Sequence, residues 1–214
     1  MKDDRVKKVW SIGADTLLQS ALDSPGCPPL LRQTLTGVLS WQTCNETSVR
    51  SVLTSPHIAP RWMAALLALG ATVTVEGDTG PEEIPLADSL TRPQALHVRV
   101  GGMRQGEAHV ARTPADEPIV AAVAAVEMDD GIVQQARVAL TGVWSQVVRL
   151  AKAPAQLVGG PLDEASIQAV AAAVENEVAP QGDFMGSEEY RRAMAGVLTR
   201  RALEQCLCLE EGSQ

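Results

Sequence analysis

Ile119 to Val143 constrains the fold more than any other stretch of this chain. It holds two apolar runs around one tight turn. In the first, Ile119 to Met128, Ala and Val follow one another so closely that periodicity alone fits a buried helix or a buried strand. The turn decides: Asp129-Asp130-Gly131 is a strong hairpin signal, because Asp-Gly tolerates the left-handed backbone that tight hairpins need. The second run then alternates Val133, Ala136, Val138 and Leu140 with polar neighbours, once a single slip is allowed. A β-hairpin is therefore expected here. Composition tightens the constraint, since the 214 residues include only four Trp, one Tyr and one Phe. The core must be built mainly from Ala, Val and Leu, which allow close approach but bury less area per residue.

Upstream, Val9 to Ala14 reads as a strand, and Asp15 or Thr16 is placed to cap a helix through Leu17, Leu18 and Leu22. A second helix is expected over Leu30 to Leu39. Gln42 to His57 is polar and shows little helical period. Trp62 to Leu69 reads as a buried helix, with Gly70 just beyond it. Ala71 to Glu76 reads as a strand, Gly77 to Pro81 as a turn, and Ala95 to Val100 as a second strand. Gly101 to Asp116 is polar and rich in Gly and Pro. Downstream of the hairpin, Val147, Val148 and Leu150 suggest a helix or loop.

Two helices close the chain. Asp163 caps the first, whose stripe is Ile167, Val170, Ala171, Val174 and Val178, and Pro180 stops it. Ser187 caps the second, with Tyr190, Met194, Val197 and Leu198 as its apolar side and Arg191, Arg192, Arg200 and Arg201 on its flanks.

The formal net charge of −8 argues against nucleic acid, which needs clustered Lys and Arg. The sequence has no membrane-length apolar run and no secretory pattern, so a cytoplasmic protein is expected. Cys27, Cys44, Cys206 and Cys208 form no zinc-type spacing and are read as ordinary reduced thiols. Cys206 and Cys208, two apart near a helix end, should face different ways. His57, His97 and His109 have no metal-type partner spacing, and no triad pattern has local support. No catalytic residue and no metal site is assigned.

The closing half carries an ordered set of motifs: Ile132 to Val143, Arg149-Leu150, Leu157-Val158-Gly159, and then Pro180-Gln181-Gly182-Asp183 through Ser187, Tyr190-Arg191-Arg192, Met194, Val197-Leu198 and Arg200-Arg201-Ala202-Leu203. This resembles the C-terminal domain of the FAD-binding medium subunits of molybdenum hydroxylases, of the carbon monoxide dehydrogenase and xanthine dehydrogenase type. Ile12-Gly13-Ala14, Ala64 to Ala71 and Ile84-Pro85-Leu86 resemble the second subdomain of the same family's PCMH-type FAD-binding fold. The resemblance implies an α+β chain in two parts. Residues 1–92 are the remnant of the flavin-binding domain, and residues 107–210 are a small antiparallel sheet packed with helices. The boundary is placed near residues 91–107, with Asp183 and Arg191 or Arg192 as a structural ion pair.

Two departures bear on function. The family's opening subdomain, with its AGGT phosphate loop, should precede Ile12, yet only eleven residues do. The family's flavin turn, R-N-x-A-T-I-G-G-N, aligns with Cys44 to Val52, where Arg50-Ser51 replaces Gly-Gly. Glycine permits close backbone approach, and these side chains enter that space. Arg50 could meet a phosphate, though a solvated surface role is the expectation. The remaining flavin-contact candidates are Asn45, Thr47, Ser48 and Val49, with a plain loop role beside them.

The resemblance implies FAD as cofactor, a molybdopterin-binding large subunit and an iron–sulfur small subunit as partners, and electron transfer as the family's task. The altered turn points to a docking subunit with FAD binding weakened or lost. The alternatives are a split flavoprotein sharing FAD with another chain, and a stand-alone ligand-binding or regulatory protein.

Overall fold

The computed structural model describes residues 8–36, 39–77, 80–88, 93–113 and 116–208. The expected hairpin is present. β6 (Val120–Asp129) and β7 (Ile132–Thr141) pair antiparallel around Asp130 and Gly131, both at positive φ, with a register shift at Glu127/Met128. Two further strands extend it. β5 (Met103–Val110) pairs with β6 and β8 (Val148–Leu150) with β7, giving the order β5-β6-β7-β8. Both additions correct the sequence expectation. β5 lies in the stretch read as an irregular connection, and β8 was expected as helix or loop. β5 is mostly polar and β8 is only three residues long, so the strand state of each comes from pairing with a neighbour rather than from its own pattern.

β6 explains why its sequence lacks alternation: both its faces are buried. Val120, Ala122, Ala124 and Val126 join Val138 and Leu140 in one cluster, with Ile167, Val170 and Val174 of α6 (Glu164–Glu177) and Ala195, Leu198, Ala202 and Leu203 of α7 (Glu188–Cys208). On the opposite face Val123, Ala125 and Ala139 join the cluster of the first half of the chain. The element that covers this face is α5 (Pro60–Ala68), all nine of whose residues are buried. A helix buried on every side, with Arg61 as its one charged residue, belongs between two layers.

The first half forms a second antiparallel sheet, order β1-β4-β2-β3: β1 (Lys8–Gly13), β2 (Thr72–Gly77), β3 (Gly80–Pro85) and β4 (Pro93–Val100). Trp10, Val73, Leu96 and Val98 point into its core. Four short helices lead to α5: α1 (Leu18–Asp23), α2 (Pro29–Leu35), α3 (Trp41–Glu46) and α4 (Val49–Thr54). Neither Asp15 nor Thr16 caps α1, whose N-cap is Leu17, with no side-chain bond. Helix α2 ends at Leu35, short of the expected Leu39. Residues 37 and 38 lie outside the described residues. The polar segment expected without helix contains α3 and α4, because Ser40 and Ser48 each cap a single turn by accepting from Thr43 N–H and Ser51 N–H. Hydroxyl caps nucleate helices too short to show a period.

The chain passes between sheets at Gly101-Gly102, both at positive φ, and residues 89–92 at the earlier edge of the expected boundary lie outside the described residues. α6 has the expected Asp163 cap, as part of a capping box with Ser166. Helix α7 is rotated from expectation. Its buried face is Arg191, Ala195, Leu198, Thr199, Ala202, Leu203 and Cys206, while Tyr190 is 38% exposed. The reason is close contact with β5: a Cβ on Gly106 would lie 2.0 Å from the Ala202 carbonyl oxygen. Gly106→Ala should therefore lower stability by at least about 2 kcal/mol, or roughly 4–8 °C in Tm for a chain of this size, since backbone must shift. An unchanged melting curve would refute this close packing.

Candidate functional site

The segment aligned with a flavin turn runs from the end of α3 through the start of α4. It lies against the turn after β1. Leu17 and Ser48 form an antiparallel bridge, and Leu18 N–H donates to Thr47 O at 2.9 Å. The amide donors at the start of α4 are all engaged within the chain. Val49 N–H donates to Thr16 O at 2.9 Å, Arg50 N–H to Ala14 O at 2.6 Å, and Ser51 N–H to Ser48 Oγ at 3.2 Å. Among the candidates, the Asn45 amide donates to Trp41 O at 2.8 Å, Thr47 is the C-cap of α3, and the Ser48 hydroxyl caps α4. The Val49 side chain is fully buried in the core. A phosphate needs donors aimed outward, and the donor set here is turned inward.

Arg50 is a half-exposed side chain that is tied down by three groups of contacts. Its Nε and Nη2 meet the Asp15 carboxylate at 2.8 and 3.1 Å, and Nη1 donates to the Pro93 carbonyl. The guanidinium thus ties together the turn after β1, α4 and the start of β4. Arg50 holds the Asp15 carboxyl below its ordinary range. Sequence spacing gave no sign of this pair, whose members are 35 residues apart.

Where the two halves meet, α5 contributes a buried ion pair. Arg61 Nη2 lies 2.9 Å from Glu107 Oε1 on β5, their side chains 7% and 4% exposed, and His109 Nδ1 sits 2.9 Å from the same oxygen. The Gln205 side chain accepts from Glu107 N–H and donates to Glu107 O. Beside this junction lies a cleft of about 550 Å³, walled by Met63, Leu67, Leu86 and Leu150 and edged by His57 and Arg149. A smaller hollow of about 300 Å³ adjoins it and is edged by the exposed Glu117.

Arg191 organises the far end. Nη1 donates to Ile119 O at 2.8 Å and Gly142 O at 2.9 Å, and Nη2 meets Asp183 Oδ2 at 2.7 Å. Of the two arginines offered for Asp183, Arg191 makes the pair, and Arg192 instead meets Glu188 at 2.8 Å. Arg191 is therefore a core residue and not a flanking one. Gly142 is required beneath it: a Cβ there, at φ +75°, would lie 2.1 Å from Ile119 O.

The comparisons with known proteins bear on this arrangement. Residues 108–206 match the CO dehydrogenase flavoprotein C-terminal domain. The second half of the chain is such a domain. Across 90% of its length, the chain is 24% identical to the carbon monoxide dehydrogenase medium chain of Hydrogenophaga pseudoflava, covering 72% of that protein. It is 29% identical to the Escherichia coli protein YgfM over 91% of this chain and 72% of that one. The fold matches a carbon monoxide dehydrogenase structure from Hydrogenophaga pseudoflava lacking the Mo-pyranopterin moiety, with TM-score 0.79, 23% identity, and coverage of 94% of this chain and 75% of that chain. The α+β architecture and the medium-chain relationship read from the motifs thus hold, and the Asp183–Arg191 pair lies inside the matched domain.

The remaining candidates are structural. His97 bridges Ser11 Oγ at 2.9 Å and Thr74 Oγ1 at 2.8 Å across the first sheet. Cys206 is buried, with its thiol pushed up to about 12 by burial, and Cys208 is exposed. No cluster of three metal-ligating side chains occurs among the described residues, and none of their helices is long and apolar enough to cross a membrane.

Arg191 first, and then the Met185 and Gly186 amides, hold the Asp183 carboxyl below its ordinary range. A group with a depressed folded value stabilises fully above its unfolded value, about pH 4, and loses that contribution as pH falls through the folded value. Asp183→Asn should therefore weaken the acid-side fall in stability. Arg191→Lys should cost about 1–3 kcal/mol by stripping donors from two carbonyls. Acid titrations of Tm for wild type and both variants check this, and superimposable curves would count against the network.

Proposed function

We propose that this chain is a medium-subunit homologue serving a molybdenum hydroxylase assembly as a structural, docking component, with FAD binding weakened or lost. The observation that carries the reading is the inward-turned donor set of α4. Val49, Arg50 and Ser51 N–H all serve this chain's own acceptors. FAD does not fit this turn as built, so no electron-transfer step is assigned to the chain. The partners would be a molybdopterin-binding large subunit and an iron–sulfur small subunit. What supports docking is the second half, matched over residues 108–206 and carrying the Arg191 network, joined to the first half through α5 and β6.

Exposed apolar side chains beside the turn favour a second reading, a split flavoprotein. Trp41 is 74% and Leu17 38% exposed, and another chain could cover them while supplying the phosphate loop. The cleft of about 550 Å³ leaves room for a third, a stand-alone ligand-binding protein.

Purification of the chain with its hydroxylase partners, followed by native mass spectrometry and a visible spectrum, separates the three. The docking reading expects a stoichiometric complex with no flavin assigned to this chain. Stoichiometric flavin on the chain itself would sink it. Flavin that appears only with an added phosphate-loop chain would favour sharing, and a lone monomer would favour the ligand-binding reading.

A further inference from the structure

We infer that Arg50 is the residue that shuts this turn to the phosphates of a dinucleotide, acting as an internal plug held by Asp15 and Pro93. This deepens the docking reading and rests on it. It names the side chains that decide cofactor exclusion.

Three features of the geometry combine. First, the position aligned with a glycine carries a long side chain that does not swing free into solvent. Two of its nitrogens grip Asp15 and a third donates to Pro93 O. Second, the grip places a carboxylate at the mouth of the turn. Asp15 is 84% exposed at its side chain and is held ionised by Arg50, so the two charges neutralise each other and the guanidinium is not offered to an incoming phosphate. Third, the same residue's backbone N–H is already donated to Ala14 O, one residue from Asp15. Backbone and side chain of Arg50 therefore hold one turn from both ends.

The pair is partly exposed, with Arg50 at 37%, and exposed ion pairs contribute little stability. Exclusion comes from occupancy and from the neutralised guanidinium, not from the strength of the pair. That distinction makes the inference testable, because an arginine can equally serve as a phosphate ligand. The two roles predict opposite signs on mutation. A plug gives tighter binding when Arg50 is removed, and a ligand gives weaker binding.

The test titrates the full-length chain with FAD, ADP and inorganic pyrophosphate by calorimetry and flavin fluorescence. The proteins compared are wild type, Arg50→Gly/Ser51→Gly and Asp15→Asn, each checked for a cooperative melt. The inference expects FAD binding to tighten at least tenfold in the double variant and several-fold in Asp15→Asn, which releases the Arg50 side chain from its clamp without changing the α4 sequence. If both variants bind no better than wild type, or if wild type binds pyrophosphate or ADP and Arg50→Gly/Ser51→Gly abolishes it, the inference is overturned. Should the double variant not fold, Asp15→Asn alone decides. Flavin already stoichiometric on wild type would refute the docking reading itself, whereas absent gain in the variants refutes only the plug.

Discussion

Everything else in the fold depends on the burial of β6 on both faces. A strand of Ala and Val presents flat, small side chains to each side, so α5 and α7 can both approach closely. On one face Val120, Ala122, Ala124 and Val126 meet the closing helices, and on the other Val123 and Ala125 meet the first half. Close packing substitutes for the aromatic bulk that the sequence lacks. The halves that look like separate domains in sequence are thereby layers around a shared sheet. Arg61 and Glu107 fix how α5 seats on that sheet, since either charge left alone in so buried a place would be costly.

This arrangement orders the functional features along the chain. The Arg191 network holds Ile119, Gly142 and Asp183 together at the end of the hairpin, inside the region matched to the flavoprotein C-terminal domain. The flavin-type turn lies elsewhere, at the edge of the first sheet, where Arg50 reaches Asp15. The shared core does not require that turn to be open. A chain can thus keep its medium-subunit framework while its cofactor segment changes, which is the physical content of a docking role without flavin.

The legibility of the sequence followed the range of the forces involved. Local rules exposed the Asp130-Gly131 hairpin, the Asp163 cap and the stripe of α6. Ordered motifs exposed the medium-chain relationship. Tertiary effects stayed hidden. β5 has no pattern of its own and is a strand because β6 pairs with it. α3 and α4 are single capped turns, too short to show a period. The face of α7 is set by Gly106, which lets Ala202 close in, and by the Ile119 and Gly142 carbonyls that hold Arg191, none of which a side-chain pattern on α7 reveals. The Arg50–Asp15 pair joins residues 35 apart, so the sequence shows Arg50-Ser51 in place of the glycines but not the partner that Arg50 grips.

The most direct test of the shared core is native-state hydrogen exchange followed by mass spectrometry. The two-faced burial of β6 predicts that amides of Val120 to Val126 exchange only through global unfolding, with α5 and α7 losing their protection together at that same rate. Exchange of α5 and the first sheet well ahead of β6 and α7 would contradict it, showing two independent units in place of one core.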